Sequence, residues 1–380
     1  MLQLTMEYFL SDRQKELRER TRRVAETVIK PRVQELEKHG DLIAEVRSEL
    51  VAAGLYKIFV PPEYGGEDFG ILELSLVVEE LARVCAGVAT AYAATGLGSM
   101  PLIVSGNEEQ KQRYLTRIAR GEIVFAFGLT EPEAGSDAAN VKTKAVKDGD
   151  YYIINGQKQF ITNGGVADVY TIFASTNPAR GARGISAFLV EKGTPGFEIG
   201  KEEEKLGIKA SKTCQLLFND CRVPKENLLG KEGLGYIAAL RTFDRTRPGV
   251  AAVALGIAQG ALEAAARRSG GLKDDPKVQK ILADIATKVE AARALIYATA
   301  RMIDAGVKRF TKESAMSKVF ASDVAMEATI EAIQVLGEKG LLKDYEVEKM
   351  MRDAKITQIY EGTNEIQRLV IASELIKEYA

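Results

Sequence analysis

The spacing of hydrophobic residues changes twice along this chain, near residues 123 and 233. Helical spacing dominates before the first point and returns after the second, whereas the segment between them is rich in β-branched and aromatic residues. One apolar pattern cannot serve both a helix and a strand, because their side chains repeat with different periods. The sequence therefore predicts an α+β chain with a helical domain at 1–123, a small sheet or β-barrel domain at 124–232 and a helical bundle at 233–380.

Local signals set the ends of the predicted helices. Ser11 with Gln14, and Asn107 with Gln110, have the capping-box pattern of a helix start. The first helix is expected to stop before Pro31, since proline cannot donate the backbone hydrogen bond. Long helical patterns return in the last third at 236–268, 277–305 and 312–336, and in a final stretch that ends near residue 380.

The middle domain is read as short strands joined by turns. Strands are predicted at 124–129, 141–147, 151–159, 169–174, 185–190 and 213–218. Asp148-Gly149 and Asn155-Gly156 are dipeptides typical of hairpin turns, because both of their residues tolerate left-handed backbone. We expect both to be turns of this sheet.

Charge and cysteine content exclude several classes of protein. The 52 basic and 53 acidic residues nearly cancel, so no overall field favours nucleic acid. No export signal and no membrane span are recognised, and a cytoplasmic location is expected. The three cysteines are widely spaced and lack histidine neighbours, so we expect buried thiols and no metal site. The single histidine, His39, is expected on the surface at a helix end, which argues against histidine catalysis.

No complete dinucleotide-binding, P-loop or nucleophile-elbow motif occurs, but three polar segments could carry chemistry. The loop 129–137 could hold a pyrophosphate on its N–H groups, or be an ordinary turn. In the segment 160–165, Phe160 and Thr162 share one face of a strand and could flank a planar ring or belong to the core. In the segment 352–368, Glu361 precedes a glycine and could be a general base or an ordinary helix-end residue.

These three segments, in this order, resemble the acyl-CoA dehydrogenase family along nearly the whole chain. Further matches lie at 207–213, 222–230 and 243–248. The resemblance implies a helical N-terminal domain, a central β-barrel and a C-terminal four-helix bundle, with FAD held between the barrel and the bundle. It also implies a homotetramer, with a homodimer as the alternative.

The resemblance assigns a role to each matching residue. Glu361 would be the base that removes the α-proton, and its backbone N–H would bind the thioester carbonyl. The residues implied to contact FAD are Phe127, Leu129, Thr130, Gly135, Ser136, Phe160, Thr162, Gln334, Thr363 and Glu365. The residues implied to contact substrate are Tyr92, Ala93, Ser136, Asp244, Arg247, Tyr360 and Gly362.

The sequence departs from the family at two places on the adenine side of FAD. The Arg-x-x-Phe-Gly element expected after the helix at 236–268 is missing, and the segment 269–276 is short. Glu338 stands where the family commonly has a second glycine after Gly337, which places a negative charge there. Both changes predict weaker FAD binding, an altered cofactor pose or a changed oligomer.

The expected reaction is therefore oxidation of an acyl-CoA, or of an acyl group on a carrier protein, to the trans-2-enoyl thioester. Hydride would go to flavin N5, and the electrons then to an electron-transfer flavoprotein. Two alternatives remain open: an enoyl-CoA reductase that runs the same chemistry in reverse, and a non-catalytic thioester-binding protein with a weakened FAD site. Short and medium acyl chains are equally compatible with the sequence, while a dicarboxylic acyl group is disfavoured because no arginine stands beside Tyr92 and Ala93.

Overall fold

Helices form the first third of the chain in the computed structural model, which describes residues 9–41, 44–270 and 274–380. The capping boxes at Ser11 and Asn107 are both formed, with Gln14 and Gln110 as their partners. The helices of this part are α1 (Asp12–Val24), α2 (Val33–His39), α3 (Ala44–Ala52), α4 (Ile71–Ala82), α5 (Ala86–Ser105) and α6 (Glu108–Ala119).

The predicted helix end before Pro31 is wrong. The chain stays helical from Asp12 to His39, because a π-turn at Ala25–Ile29 and a 3₁₀ turn at Lys30–Arg32 connect α1 to α2. A proline in a regular α-helix removes one hydrogen bond and collides with the preceding turn. The wider π-turn changes the hydrogen bonding just before that point, so the chain passes the proline without leaving the helical path.

The middle third is an eight-stranded sheet. Its order is β6-β7-β3-β2-β4-β5-β8, and β1 pairs in parallel with β4. The strands are β1 (Phe125–Gly128), β2 (Lys144–Asp148), β3 (Tyr151–Thr162), β4 (Val169–Ser175), β5 (Ile185–Glu191), β6 (Phe197–Glu202), β7 (Thr213–Pro224) and β8 (Leu228–Leu229). The predicted strands are all present, and β6 and β8 are additions.

Only one of the two predicted hairpin turns is a turn. Asp148 ends β2 and Gly149 begins the turn into β3, as expected. Asn155-Gly156 lies inside β3, where the pairing with β7 shifts register. Gly156 has φ +144°, and a Cβ there would lie 2.7 Å from the Thr143 backbone, so the glycine serves a strand irregularity and a close approach.

Five α-helices follow the sheet in the described residues 233–270 and 274–380, and the bundle they form packs on the first helical part. The glycine of α7 at position 256 permits this contact, since a Cβ there would lie 2.4 Å from the Glu79 carbonyl oxygen of α4. The helices are α7 (Gly235–Arg268), α8 (Pro276–Asp304), α9 (Thr311–Leu336), α10 (Val347–Thr357) and α11 (Asn364–Tyr379). The sheet, flanked in sequence by helical parts, confirms the predicted α+β fold.

Within the described part of the chain, two helices, α5 and α7, are long and apolar enough to span a bilayer, but 72% and 83% of their apolar windows are buried inside the protein. Both pack as core helices. The thiols of Cys85, Cys214 and Cys221 are free and buried, as predicted. His39 is exposed at the end of α2, also as predicted.

Candidate active site

Glu361 lies in the short connection between α10 and α11, and its backbone is strained. Its φ is +50° and that of Gly362 is +93°, so two consecutive residues adopt left-handed conformations. A non-glycine residue there costs on the order of 1 kcal/mol. The connection is short because α10 ends at Thr357 and Thr363 already caps α11, with its hydroxyl accepting from the Ile366 N–H at 3.3 Å. This geometry turns the Glu361 side chain towards α7.

The Glu361 carboxylate is held by a hydroxyl of α7. Thr246 Oγ1 donates to Glu361 Oε2 at 2.9 Å, and the same hydroxyl lies 3.1 Å from the Thr242 carbonyl oxygen as an alternative acceptor. Burial raises the pKa of Glu361 from 4.5 to about 7, although Thr246, Arg247 and Lys318 act in the opposite direction. A carboxylate with such a pKa can take up a proton near neutral pH.

Arg247 lies one residue beyond Thr246 on α7 and is buried. Its guanidinium bonds Asp244 Oδ1 at 2.8 Å, and Asp244 Oδ2 also accepts from Thr311 at 2.8 Å. Desolvation lowers the pKa of Arg247 below its ordinary value. This cation therefore faces the Glu361 carboxylate in a partly dehydrated environment.

Three side chains beside Glu361 each have a buried polar atom without a hydrogen-bond partner among the described residues. These atoms are Nε of Arg247, the hydroxyl oxygen of Tyr360 and Oε1 of Gln367. Buried polar atoms normally have partners, and an unsatisfied one costs about 1–3 kcal/mol. A bound molecule with several polar groups could supply the missing partners.

Strand β1 contacts α7 one helical turn before Thr246, and β3 carries two more of the predicted cofactor residues. The Phe127 ring at the end of β1 lies 5.4 Å from the Phe243 ring of α7 and 4.9 Å from Phe173 of β4. Phe160, near the end of β3, is 62% exposed and has φ +59°, while Thr162 is partly buried. An exposed aromatic ring beside a threonine fits a planar ligand such as the flavin ring.

A buried ion pair fixes the start of the loop 129–137. Lys158 Nζ donates to Glu131 Oε1 at 2.7 Å and to the Leu129 carbonyl oxygen at 3.1 Å. The Glu131 carboxylate also accepts from the backbone N–H groups of Lys142 and Thr143. Burial lowers the pKa of Lys158 to about 8. Beside this pair the Thr130 carbonyl accepts from the backbone N–H of residue 159 at 2.9 Å, which joins the loop to β3.

Five other residues predicted to contact FAD lie in three separate parts of the fold. Gly135 and Ser136 are exposed at the tip of the loop 129–137, and Gln334 is exposed in the last turn of α9. Thr363 and Glu365 lie at the start of α11, on the same connection as the glutamate. Their contacts with FAD stay predictions.

The two predicted residues of α5 face different surroundings. Tyr92 is fully buried, and its hydroxyl donates to the Leu55 carbonyl oxygen at 2.7 Å. Its ring packs against Tyr56 and Phe59 in the N-terminal helices. Ala93 is partly exposed and is therefore the member of the pair that borders open space.

The two departures from the family can be located only in part. Glu338 is exposed in the 3₁₀ turn that follows α9, and Gly337 before it has φ +60°. Residues 271–273 of the shortened segment lie outside the described residues. Weakened FAD binding therefore stays a prediction.

Four polar residues at or near the site were missed at the sequence level: Thr246 and Gln367, which form the hydrogen bonds with Glu361, and Lys318 and Asn163. Lys318 of α9 is fully buried, and its Nζ donates to the Gly362 carbonyl oxygen at 2.8 Å. Asn163, with φ +62°, donates from its side chain to the Ala91 carbonyl oxygen at 2.9 Å and so ties the end of β3 to α5. No local pattern singles out Lys318, because α9 contains several other polar residues near it, among them Glu313, Ser317 and Asp323.

A helical part, a sheet and a helical bundle, together with a carboxylate of raised pKa, are the features expected of the flavin-dependent acyl-thioester oxidoreductases that the sequence resembles. Three family models match the chain: the acyl-CoA dehydrogenase N-terminal domain at 11–122, the middle domain at 126–221 and the C-terminal domain at 233–376. The chain belongs to the acyl-CoA dehydrogenase family. This confirms the predicted activity, that of an acyl-CoA dehydrogenase, and the predicted cofactor, FAD.

Relatives match over their full length. The short-chain specific acyl-CoA dehydrogenase of Clostridium acetobutylicum is 44% identical over 381 residues, which cover 98% of this chain and 100% of the relative. The structure of butyryl-CoA dehydrogenase from Megasphaera elsdenii matches with a TM-score of 0.95 and 43% identity, over 98% of this chain and 100% of that one. A chain in a structural study of the electron transferring flavoprotein of Acidaminococcus fermentans matches with a TM-score of 0.95 and 46% identity, over 98% and 100%.

Proposed function

We propose that Glu361 removes the α-proton of an acyl-CoA and so starts its conversion to trans-2-enoyl-CoA. The observation that carries this proposal is the pKa of about 7 that burial gives the carboxyl group, together with its hydrogen bond to Thr246. The Thr246 hydroxyl suits both protonation states. It donates to the ionised carboxylate, and after proton uptake it can accept from the carboxylic acid while it donates to the Thr242 carbonyl oxygen, 3.1 Å away.

Removal of the α-proton leaves negative charge on the thioester oxygen, which needs a donor. Among the described residues, the backbone N–H of Glu361 forms no hydrogen bond within the protein. This supports its role as that donor. The Arg247 guanidinium, whose Nε has no partner, adds positive charge on the α7 side.

FAD, when bound, supplies at its N5 atom the acceptor for the hydride that leaves the β-carbon. By the family resemblance, Phe127, Leu129, Thr130, Phe160 and Thr162 would hold its ring, and the contact of Phe127 with Phe243 of α7, with ring centres 5.4 Å apart, supports this for β1. Because proton and hydride leave opposite faces of the substrate, the protein must place the carboxylate on one face and the ring on the other.

The substrate we propose is a short-chain acyl-CoA. The Clostridium relative is named as short-chain specific and the Megasphaera enzyme as a butyryl-CoA dehydrogenase.

An electron-transfer flavoprotein is proposed as the redox partner, because the Acidaminococcus study that contains a 46% identical chain is titled after such a protein. A homo-oligomer is proposed because Leu369, Ile376 and Tyr379 of α11 are exposed. The cytoplasmic location stays a prediction.

The test is anaerobic addition of butyryl-CoA or octanoyl-CoA to the FAD-loaded protein while the visible flavin absorbance is followed. We expect butyryl-CoA to bleach the flavin and Glu361→Gln to abolish the bleaching. Glu374→Gln, the same change at the far end of α11, is the matched control. Bleaching that persists in Glu361→Gln would refute the role of the base, and protein that never retains flavin would favour the thioester-binding alternative.

The reductase alternative uses the same residues in reverse. It is distinguished by adding crotonyl-CoA to the chemically reduced protein and measuring butyryl-CoA, with the two rates compared at equal enzyme concentration.

A further inference from the structure

Lys318 is a buried ammonium with an unusual set of partners. Its side chain is fully enclosed in the bundle, and Nζ donates to the Gly362 carbonyl oxygen at 2.8 Å and to Asn364 Oδ1 at 3.0 Å. Both acceptors are formally neutral, and Lys318 forms no ion pair with any residue that the structure describes. A buried charge without a direct counter-ion is costly, so this arrangement needs a compensating role.

One acceptor, Gly362, belongs to the connection that carries Glu361, and the other, Asn364, is the first residue of α11 directly after it. This connection is also held by Gln367, whose Nε2 lies 3.0 Å from the Glu361 carbonyl oxygen and 3.2 Å from that of Gly362. Asn364 Nδ2 in turn donates to Ser322 Oγ at 2.9 Å, one helical turn beyond Lys318 on α9. Since Glu361 and Gly362 both have left-handed backbones, these side chains hold a conformation that the connection would otherwise leave.

Charged residues from four parts of the site surround the ammonium. Glu361 of the connection, Asp323 of α9 and Glu365 of α11 attract the charge, and Arg247 of α7 repels it. Burial lowers the pKa of Lys318 to about 7, the same range in which Glu361 titrates. The two groups therefore respond to each other: an ionised glutamate favours the ammonium, and the ammonium favours the ionised glutamate.

We propose that Lys318 is a positioning residue for the reaction proposed above, one that fixes the Glu361 connection and whose ammonium keeps the glutamate ionised before substrate deprotonation. This inference rests on the proposed function and adds an electrostatic role for a residue of α9. Among the described residues, Lys318 is the one side chain of α9 that bonds the Gly362 carbonyl oxygen. Loss of the cation leaves Glu361 protonated up to a higher pH. The pH at which the rate falls to half on the acidic side of the profile must then be higher.

The experiment measures the rate of anaerobic flavin reduction by butyryl-CoA, by rapid mixing, at a series of pH values across the neutral range. We expect Lys318→Met to move the midpoint of the acid limb upward by about one pH unit, at the low end of what a neighbouring opposite charge does. Ser322→Ala removes a neutral hydrogen bond to the same connection and is the matched control. It should slow the reaction equally at all pH values and leave the midpoint in place.

A midpoint that stays in place in Lys318→Met, or that moves equally in Ser322→Ala, overturns the electrostatic role. If Lys318→Met does not fold with flavin, Lys318→Arg decides the question. Arginine keeps its charge where lysine loses it, so the midpoint must fall below that of the unchanged protein, and an equal or higher midpoint overturns the proposal. Flavin reduction that persists in Glu361→Gln contradicts the proposed function itself, whereas an inactive Glu361→Gln with an unshifted Lys318→Met contradicts this inference alone.

Discussion

Glu361→Gln should stabilise the flavin-free protein while it abolishes activity, and the gain should depend on pH. Burial raises the pKa of Glu361 from 4.5 to about 7. The folded state therefore binds more protons than the unfolded state between these values, and its stability falls as the pH rises through this window. At 1.36 kcal/mol per unit of pKa, the folded protein loses up to about 3 kcal/mol above pH 7. Glutamine has no such cost.

Lys318 reduces this gain only near neutral pH. Its ammonium attracts Glu361 only where the carboxylate is ionised and the amine is still protonated, which is the range around pH 7. The gain from Glu361→Gln should be absent well below about pH 4.5, where the carboxyl group is protonated in the folded and in the unfolded state, and complete well above about pH 7.

The assay is thermal unfolding of the flavin-free protein and its variants over this pH range, because bound FAD would itself stabilise the fold. Glu374→Gln of α11 is the control for removal of one negative charge. The difference in Tm between Glu361→Gln and the unchanged protein should grow from pH 5 to pH 8. A difference that is constant over this range would refute the claim that burial of the carboxylate sets its pKa.

The remaining predictions concern FAD binding and the sheet. Phe160→Ala should weaken FAD about tenfold in a fluorescence titration of the flavin-free protein, because an exposed ring is lost, whereas Val146→Ala, an exposed residue of β2, should change nothing. Lys158→Met leaves the buried Glu131 carboxylate without its ammonium and should cost about 3 kcal/mol of stability in thermal unfolding, with part recovered by adding Glu131→Gln. Glu338→Gly should raise FAD affinity about threefold at low salt, because it removes a negative charge near the expected position of the cofactor. High salt should remove this gain in affinity, and a gain that persists at high salt would argue against a charge effect.

Local signals in the sequence were enough for most elements of the fold. The capping boxes at Ser11 and Asn107 each involve residues three apart, so the helix starts could be predicted from the chain itself. The same holds for the turn at Asp148-Gly149. The stop expected at Pro31 failed because the proline rule describes a regular α-helix, and the chain avoids that geometry with a π-turn.

The sheet shows where local signals end. Asn155-Gly156 has the composition of a hairpin turn, but the long pairing of β3 with β7 keeps it inside a strand. Strand β6 is mostly exposed and lacks an apolar alternation, so no periodicity indicated it. In both cases pairing with β7 decides the structure, and such pairing cannot be seen in a local segment.

The site depends on contacts between distant residues even more than the sheet does. Glu361 was found through the resemblance of its segment to a known family. Its hydroxyl partner Thr246 lies 115 residues away, and Lys318 lies 44 residues from the carbonyl it bonds. Neither partner has a sequence neighbour that would reveal the contact. The residues that tune the base were therefore out of reach, although the base itself was not.

These contacts explain why the base can occupy an unfavourable position. Glu361 combines a left-handed backbone with a buried carboxyl group, and each feature alone costs free energy. The connection keeps this conformation because Lys318 and Gln367 bind its carbonyl oxygens, and Thr246 binds the carboxylate from another helix. These contacts hold the carboxylate in place, and Thr246 and Lys318 also favour its ionisation. Loosening the strained connection to gain stability would therefore remove the geometry that proton transfer requires.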